Sequence, residues 1–321
     1  MKVYKYRGAA ELDRDLNSLQ ADYFFAPTAE QLNDPVEVVL NSKVVATLAR
    51  ALSDDLAAAL EQLTNIRRTV GIYSLSRTPT DELMWAHYGQ SHAGFCIEYD
   101  LDRLMLDART QWTKLDVVYS QEPPSLEISD LIGARDAKGI EVMLAGHKSL
   151  RWAYEEELRI LTARSGMNHY ARSAVTGIYF GCRASGQTIS KVRTALTGRS
   201  YRYFLLQYPE HSYRLQVVKL PRDDSLDGQP TIHYAPVDEY AVPAADELGK
   251  DAHRHGLLLR AVERVRRDPA CEMVALAGVS TSVSHLGKLF VQYKTRVKTD
   301  LFDSVNMYFD DDDLSEQVLA E

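Results

Sequence analysis

The chain has few cysteines: Cys96, Cys182 and Cys271 stand far apart, and none forms a CxxC pair. That spacing argues against a disulfide framework or a zinc ribbon and fits a reducing compartment. No apolar run reaches membrane-spanning length, and the opening MKVYKYRGAAELDRD lacks the apolar core of a secretory signal. A soluble cytoplasmic protein with no membrane partner is therefore expected. Positive charge is also in deficit, with 37 Lys and Arg against 45 Asp and Glu for a net charge of −8. Backbone-driven nucleic-acid binding by the whole surface is thereby disfavoured, although basic clusters at 183–202 and 254–267 leave room for a local groove. The strings GxSxG, HExxH, GxxxxGK[ST] and GxGxxG are all missing. Their absence speaks against common hydrolases, zincins, P-loop enzymes and dinucleotide dehydrogenases. Internal repeats and low-complexity segments are absent as well.

What is present suits a globular protein of one large or two small domains. The 321 residues include 45% hydrophobic and 26% charged residues, enough for a substantial core. Residues 2–7 read as a strand, 11–20 as a helix and 22–26 as a second strand. Turn chemistry follows in QLNDPVE, where Asn33, Asp34 and Pro35 end regular structure. Residues 42–68 carry helical periodicity and 70–76 read as a strand. Thr78-Pro79-Thr80-Asp81-Glu82 starts a helix over 81–88 that stops at Gly89. Further strands are expected at 94–100, 115–119, 176–181, 203–207 and 213–220, with helices at 129–150 and 188–196. From about Pro243 the chain turns strongly charged: 244–267 reads as a helix and 271–309 as mixed and partly helical. The fold class is α+β, a mixed or split β-sheet core flanked by helices with a helical C-terminal extension. The division is an α+β core domain over 1–242 and a mostly helical extension over 243–321.

The stretch KSLRWAYEEELRIL over 148–161 places an acidic triplet inside an aromatic, apolar run. Extended throughout, it puts Arg151, Glu155, Glu157 and Arg159 on one face; Leu150, Tyr154, Leu158 and Leu161 also fit a helix, and the favoured reading is a short helix before a strand beginning near Ala153. Two carboxylates two residues apart then converge within about 7 Å. Such a pair suits a polar site, and mutual neutralisation of Glu157 and Arg159 accounts for the pattern equally well. Upstream, Trp85, His87, Tyr88 and His92 crowd one helix and its exit. Aromatics with histidine suit a pocket for a planar ring, and equally a helix seated on a sheet. His87 reads as a general base or as a structural histidine. Two histidines without a third ligand predict no metal site. Ser74 and Ser76 share one strand face, where hydroxyls would brace a carboxylate or a ribose, or simply meet solvent. Arg7 ends the first strand, free to meet a phosphate or to lie on the surface.

Taken in order, VYKYR (3–7), LNDPVE (32–37), SLS (74–76), LMWAHYGQSHAGFCIEYD (83–100), VVYS (117–120), HKSLRWAYEEELRIL (147–161) and GIYFG (177–181) resemble the bacterial family called domain of unknown function 2971. The resemblance covers roughly residues 2–220. Leu32 departs from it, since the family usually has an aromatic there. A weaker similarity joins Arg7, Ser74 with Ser76, and Glu155 with Glu157 to the arginine–serine–glutamate pattern of ADP-ribosyltransferases. That similarity implies NAD as a substrate, with Arg7 on its phosphates or ribose and the serine strand shaping the nicotinamide pocket. Glu157 would hold the nicotinamide ribose 2′-hydroxyl and stabilise an oxocarbenium-like transition state, and Glu155 would orient or deprotonate the acceptor. Tyr88 or Trp85 would stack on nicotinamide. The implied protein is a bacterial toxin or phage-defence effector with a protein or nucleic-acid acceptor. The basic 183–202 region, interleaved with Tyr201, Tyr203 and Phe204, would suit a single strand, or be a solvated helix.

Two other classes stay open. One is a Mg²⁺-dependent nuclease or phosphodiesterase using Asp34, Glu98, Glu155 and Glu157 as oxygen ligands. The other is a non-catalytic sensor or interaction module whose C-terminal extension binds a partner or forms a homo-oligomer.

Overall fold

Period-two alternation builds most of this molecule, described by a computed structural model over residues 1–36, 38, 67–105, 112–125, 137–229, 234–268, 271–295 and 304–314. Strand β1 (Lys2–Arg7) is followed by helix α1 (Leu12–Gln20), β2 (Tyr23–Ala26) and β3 (Gly71–Ser76). Helix α2 (Glu82–His87) leads into β4 (Phe95–Asp100), the single turn α3 (Leu101–Leu104), β5 (Thr113–Asp116) and β6 (Val118–Ser120). Helix α4 (Ala137–Ala145), β7 (His147–Ser149), a 3-10 segment (Leu150–Glu155) and β8 (Glu157–Thr162) span the acidic stretch. Then come β9 (Gly166–His169), β10 (Val175–Phe180), α5 (Gly186–Ala195), β11 (Arg202–Gln207), β12 (Gln216–Lys219) and the four-residue α6 (Asp224–Asp227).

Eight strands form one sheet in the order β12–β11–β10–β4–β1–β3–β8–β5. Only β10 and β11 run parallel, so the sheet is mixed and the α+β class holds. Val3, Tyr73, Leu75, Ile97, Leu158, Ile160 and Ile178 point to one face and bury against α1 and α5. Helix α1 contributes a stripe of Leu12, Leu16 and Leu19, the i, i+4, i+7 spacing of one helix face. Each such side chain withdrawn from water contributes about 1.5–3 kcal/mol. Tyr6, Met84, Trp85, Cys96, Tyr179 and Leu206 form a second cluster, and Ile72, Leu115, Leu144 and Leu161 a third.

The pairing is uneven. β1 and β4 are in register from Lys2↔Asp100 to Arg7↔Phe95, and β3 and β8 from Gly71↔Thr162 to Ser76↔Glu157. Between these halves, β1 and β3 are bridged only at Tyr4↔Ser76. The sheet is thus split along the line between β1 and β3.

Three local expectations change. The strand expected at 115–119 is two strands, because the chain leaves the large sheet at Val117 and β6 pairs with β7 instead. The helix expected at 129–150 ends at Ala145, and its start lies outside the described residues, as do most of 42–68. The strand expected from Ala153 begins at Glu157, because Glu156 adopts a left-handed conformation (φ 44°) that ends the 3-10 segment.

The C-terminal part has its own core. Helix α7 (His255–Arg266) lays Leu258, Ala261, Val262 and Val265 on a three-stranded sheet of β13 (Cys271–Val279), β14 (Leu289–Thr295) and β15 (Ser304–Phe309). The helix expected over 244–267 is interrupted at Gly249, whose φ is 55°. The region read as partly helical is largely sheet. Leu289, Val291 and Tyr293, then Val305, Met307 and Phe309, are buried with period two. Among the described residues no helix is long and apolar enough to cross a membrane.

Candidate functional site

The split opens into a cleft of about 550 Å³. Tyr4, Tyr6, Lys5 and Arg7 of β1 form one wall, and Ser74 and Ser76 of β3 form the facing one. Met84, His87 and Tyr88 of α2 and its cap, Lys148 of β7, and Glu155 and Glu157 line the rest, with residues of α1 and the loop at Leu32, Asn33 and Asp34. Arg7, Ser74, Ser76, His87, Tyr88, Glu155 and Glu157, all singled out in the sequence, therefore share one cavity.

Helix α2 is set by Asp81, whose side chain accepts a hydrogen bond from Met84 N at 2.8 Å. It presents Tyr88, whose hydroxyl donates to Glu155 Oε1 at 2.6 Å. Lys148 Nζ donates to Glu155 Oε2 at 2.5 Å and to Glu157 Oε2 at 3.1 Å. The two carboxylates meet on this ammonium rather than by alternation on one strand. Glu157 is further gripped by Arg159, from Nε to Oε1 at 2.8 Å and from Nη2 to Oε2 at 3.2 Å. The neutralising pair read from the sequence is thus present.

Their electrostatics differ. Burial alone would raise Glu157, but Arg159, Lys148 and the Ser74 hydroxyl hold its carboxyl well below the usual carboxylate range. Burial raises Glu155, and repulsion from Glu157 adds to this, outweighing Lys148 and Tyr88. One carboxylate is a fixed anion and its neighbour holds a proton more readily. Environments that push two acids apart in this way sort them into separate roles.

Other assignments fare unevenly. Trp85 is fully buried and donates from Nε1 to Pro79 O at 2.8 Å. It does not reach the cleft, which corrects the expectation that it stacks on a ligand and favours core packing. Ser76 is buried and closes a turn by accepting from Thr78 N at 3.2 Å, while Ser74 is more open. His87 is exposed at the rim, against the rings of Tyr88 and Tyr154. In the basic 183–202 region, Arg193 is bonded to Asp227, Arg199 to Asp22 and Arg202 to Glu98, so these guanidiniums are held by carboxylates of the protein itself.

Three lining residues were missed. Lys148 sits in the KSLRW run, where nothing in the spacing marks it as a partner of the acids. Lys5 donates to Ser74 O at 2.7 Å across the split, and burial, then Arg7, push its amine down to about 7 against the pull of Glu157, Glu155 and Asp15. Asp15 lies on the buried stripe of α1. A carboxylate at i+3 within a leucine stripe was the available sign.

The four oxygen ligands of the Mg²⁺ alternative are not gathered. Asp34, Glu155 and Glu157 line the cleft, whereas Glu98 does not, accepting instead from Thr176 at 2.6 Å and Tyr179 at 2.7 Å. Among the described residues no group of three His, Cys, Asp or Glu side chains is placed to hold a metal ion.

The sequence profile of a family described as "Protein of unknown function (DUF2971)" matches residues 84–160. The matched segment contains His87, Tyr88, Lys148, Glu155 and Glu157, and it supports the family resemblance carried by the motifs. No curated protein and no solved structure matches the chain.

Proposed function

We propose that the cleft takes NAD as a substrate and that the protein is an ADP-ribosyltransferase-like enzyme, fitted to act as a bacterial toxin or phage-defence effector. One observation carries the reading. Arg7, Ser74 and Glu157 come from three laterally adjacent strands, β1, β3 and β8, and line a single cleft at the split.

In this reading nicotinamide leaves C1′ of its ribose with the electrons of the C–N bond, and positive charge builds on the sugar. Glu157, kept ionised by Arg159 and Lys148, supplies a fixed negative charge at that point. The acceptor nucleophile, on protein or nucleic acid, attacks C1′ and releases its proton to Glu155, whose raised pKa suits a base. Arg7 faces the phosphates or a ribose, Ser74 bounds the nicotinamide, and Tyr88 steadies Glu155.

The test is nicotinamide release from NAD by the purified protein, with thermal shift as the measure of binding. Glu157→Gln should slow release about a hundredfold or more, the loss of one preorganised charge. Arg159 is fully buried and loses a charged partner in this variant, so folding is checked by circular dichroism. Absence of binding and release in the wild type, or undiminished release by a folded Glu157→Gln, overturns the proposal.

A further inference from the structure

At the α1 end of the cleft lies a carboxylate that the proposed chemistry does not use. Asp15 is 3% exposed, and its Oδ1 accepts from Arg14 Nε at 3.3 Å and Nη2 at 3.2 Å. Its Oδ2 is buried with no hydrogen-bond partner. Arg7 Nε, 3.7 Å from Asp15 Oδ1, is likewise buried and unpartnered. Both residues line the cleft.

Buried polar atoms are nearly always satisfied, and a buried donor or acceptor left without a hydrogen bond is costly. Here a carboxylate with an unsatisfied acceptor oxygen is ion-paired to a guanidinium with an unsatisfied donor nitrogen. A hydroxyl matches both, because it donates to the carboxylate while accepting from the guanidinium. Phosphate would satisfy Arg7 and be repelled by Asp15, and an amine the reverse. Among the five carboxylates that line the cavity, Asp15 and Glu157 have different hydrogen-bonding partners, Arg14 for the one and Lys148 with Arg159 for the other. A dinucleotide carries two riboses.

Resting on the NAD reading, we propose that Asp15, beside Arg7, is a specificity-determining residue that accepts a hydrogen bond from a hydroxyl of the adenosine ribose, while Glu157 serves the nicotinamide ribose. A 2′-phosphate on that ribose brings further negative charge toward a buried carboxylate, so the site prefers NAD to NADP.

The test is calorimetric titration of the full chain with NAD, NADP, ADP-ribose, adenosine, and NAD analogues lacking the adenosine 2′- or 3′-hydroxyl. At least one deoxy analogue and NADP should bind the wild type roughly tenfold or more weakly than NAD, the scale of a hydrogen bond to a charged group. In Asp15→Asn the penalty for the missing hydroxyl should shrink. The wild-type arm needs no variant, so it decides the matter even if Asp15→Asn fails to fold. Equal binding of all analogues overturns the assignment while leaving the transferase reading intact, and marks those atoms as served by ordered water. Asp15-dependent binding of adenosine or ADP-ribose, without nicotinamide release from NAD, upholds the subsite and overturns the transferase reading. No binding of any of these ligands overturns both.

Discussion

At the scale of single residues, Lys148 holds the arrangement together, and its removal has a signed consequence. Its ammonium lowers both Glu155 and Glu157, so Lys148→Met should raise both. If Glu155 must be ionised to accept a proton, the acid limb of the rate profile moves to higher pH in Lys148→Met and returns toward wild type in Lys148→Arg. Stability follows the same logic. A carboxyl held below its unfolded value stabilises the fold above that value, and this contribution is lost as pH falls through the folded one. Lys148→Met should therefore weaken the fold at neutral pH and flatten its acid unfolding curve, as urea titrations from pH 3 to 7 would record. Sequence reading found Glu155, Glu157 and Tyr88 because clustered acids and aromatics stand out. It missed Lys148 and Asp15, which matter for the company they keep in space. It left Trp85 open between pocket and core, since an aromatic reads the same in either place.

At the scale of elements, the strands were the most legible part, because β1, β3, β4 and β10 each alternate or run apolar between clear stops. Boundaries failed where one residue broke the pattern, as at the left-handed Glu156. The turn from α2 into β4 is built from three successive left-handed residues, Gln90, Ser91 and His92, with φ of 49°, 51° and 69°. It leaves Gly94 packed directly beneath the end of β1, where a Cβ would run into the carbonyl of Arg7. Gly94→Ala should therefore cost about 1–3 kcal/mol. It should also displace Arg7, so a lowered melting temperature and weakened NAD binding are expected together. A stable Gly94→Ala variant with unchanged binding would show that the end of β1 does not fix the site.

At the scale of the whole molecule, two hydrophobic cores stand out, one centred on the eight-stranded sheet and one under α7. The second was harder to read because β13 carries two register shifts, at Cys271/Met273 and Val274/Leu276, that break its alternation. Leu258 is fully buried in it, and Leu258→Ala should cost about 2–5 kcal/mol. If the cores unfold as separate units, calorimetry will resolve two transitions and this substitution will lower only one of them. A single transition shifted as a whole would make the C-terminal part integral to the sheet domain.

The single bridge between β1 and β3 has one more consequence. Sheet interiors normally hide their main-chain amides, but here two central strands turn part of their edges toward each other without pairing. Ile72 N donates to Pro27 O, and Ser74 O takes the Lys5 ammonium instead of a neighbouring strand. Main-chain groups that a neighbouring strand would take are therefore met by a loop carbonyl and by a side chain, so replacing Lys5 would strip the Ser74 carbonyl of the partner it has here.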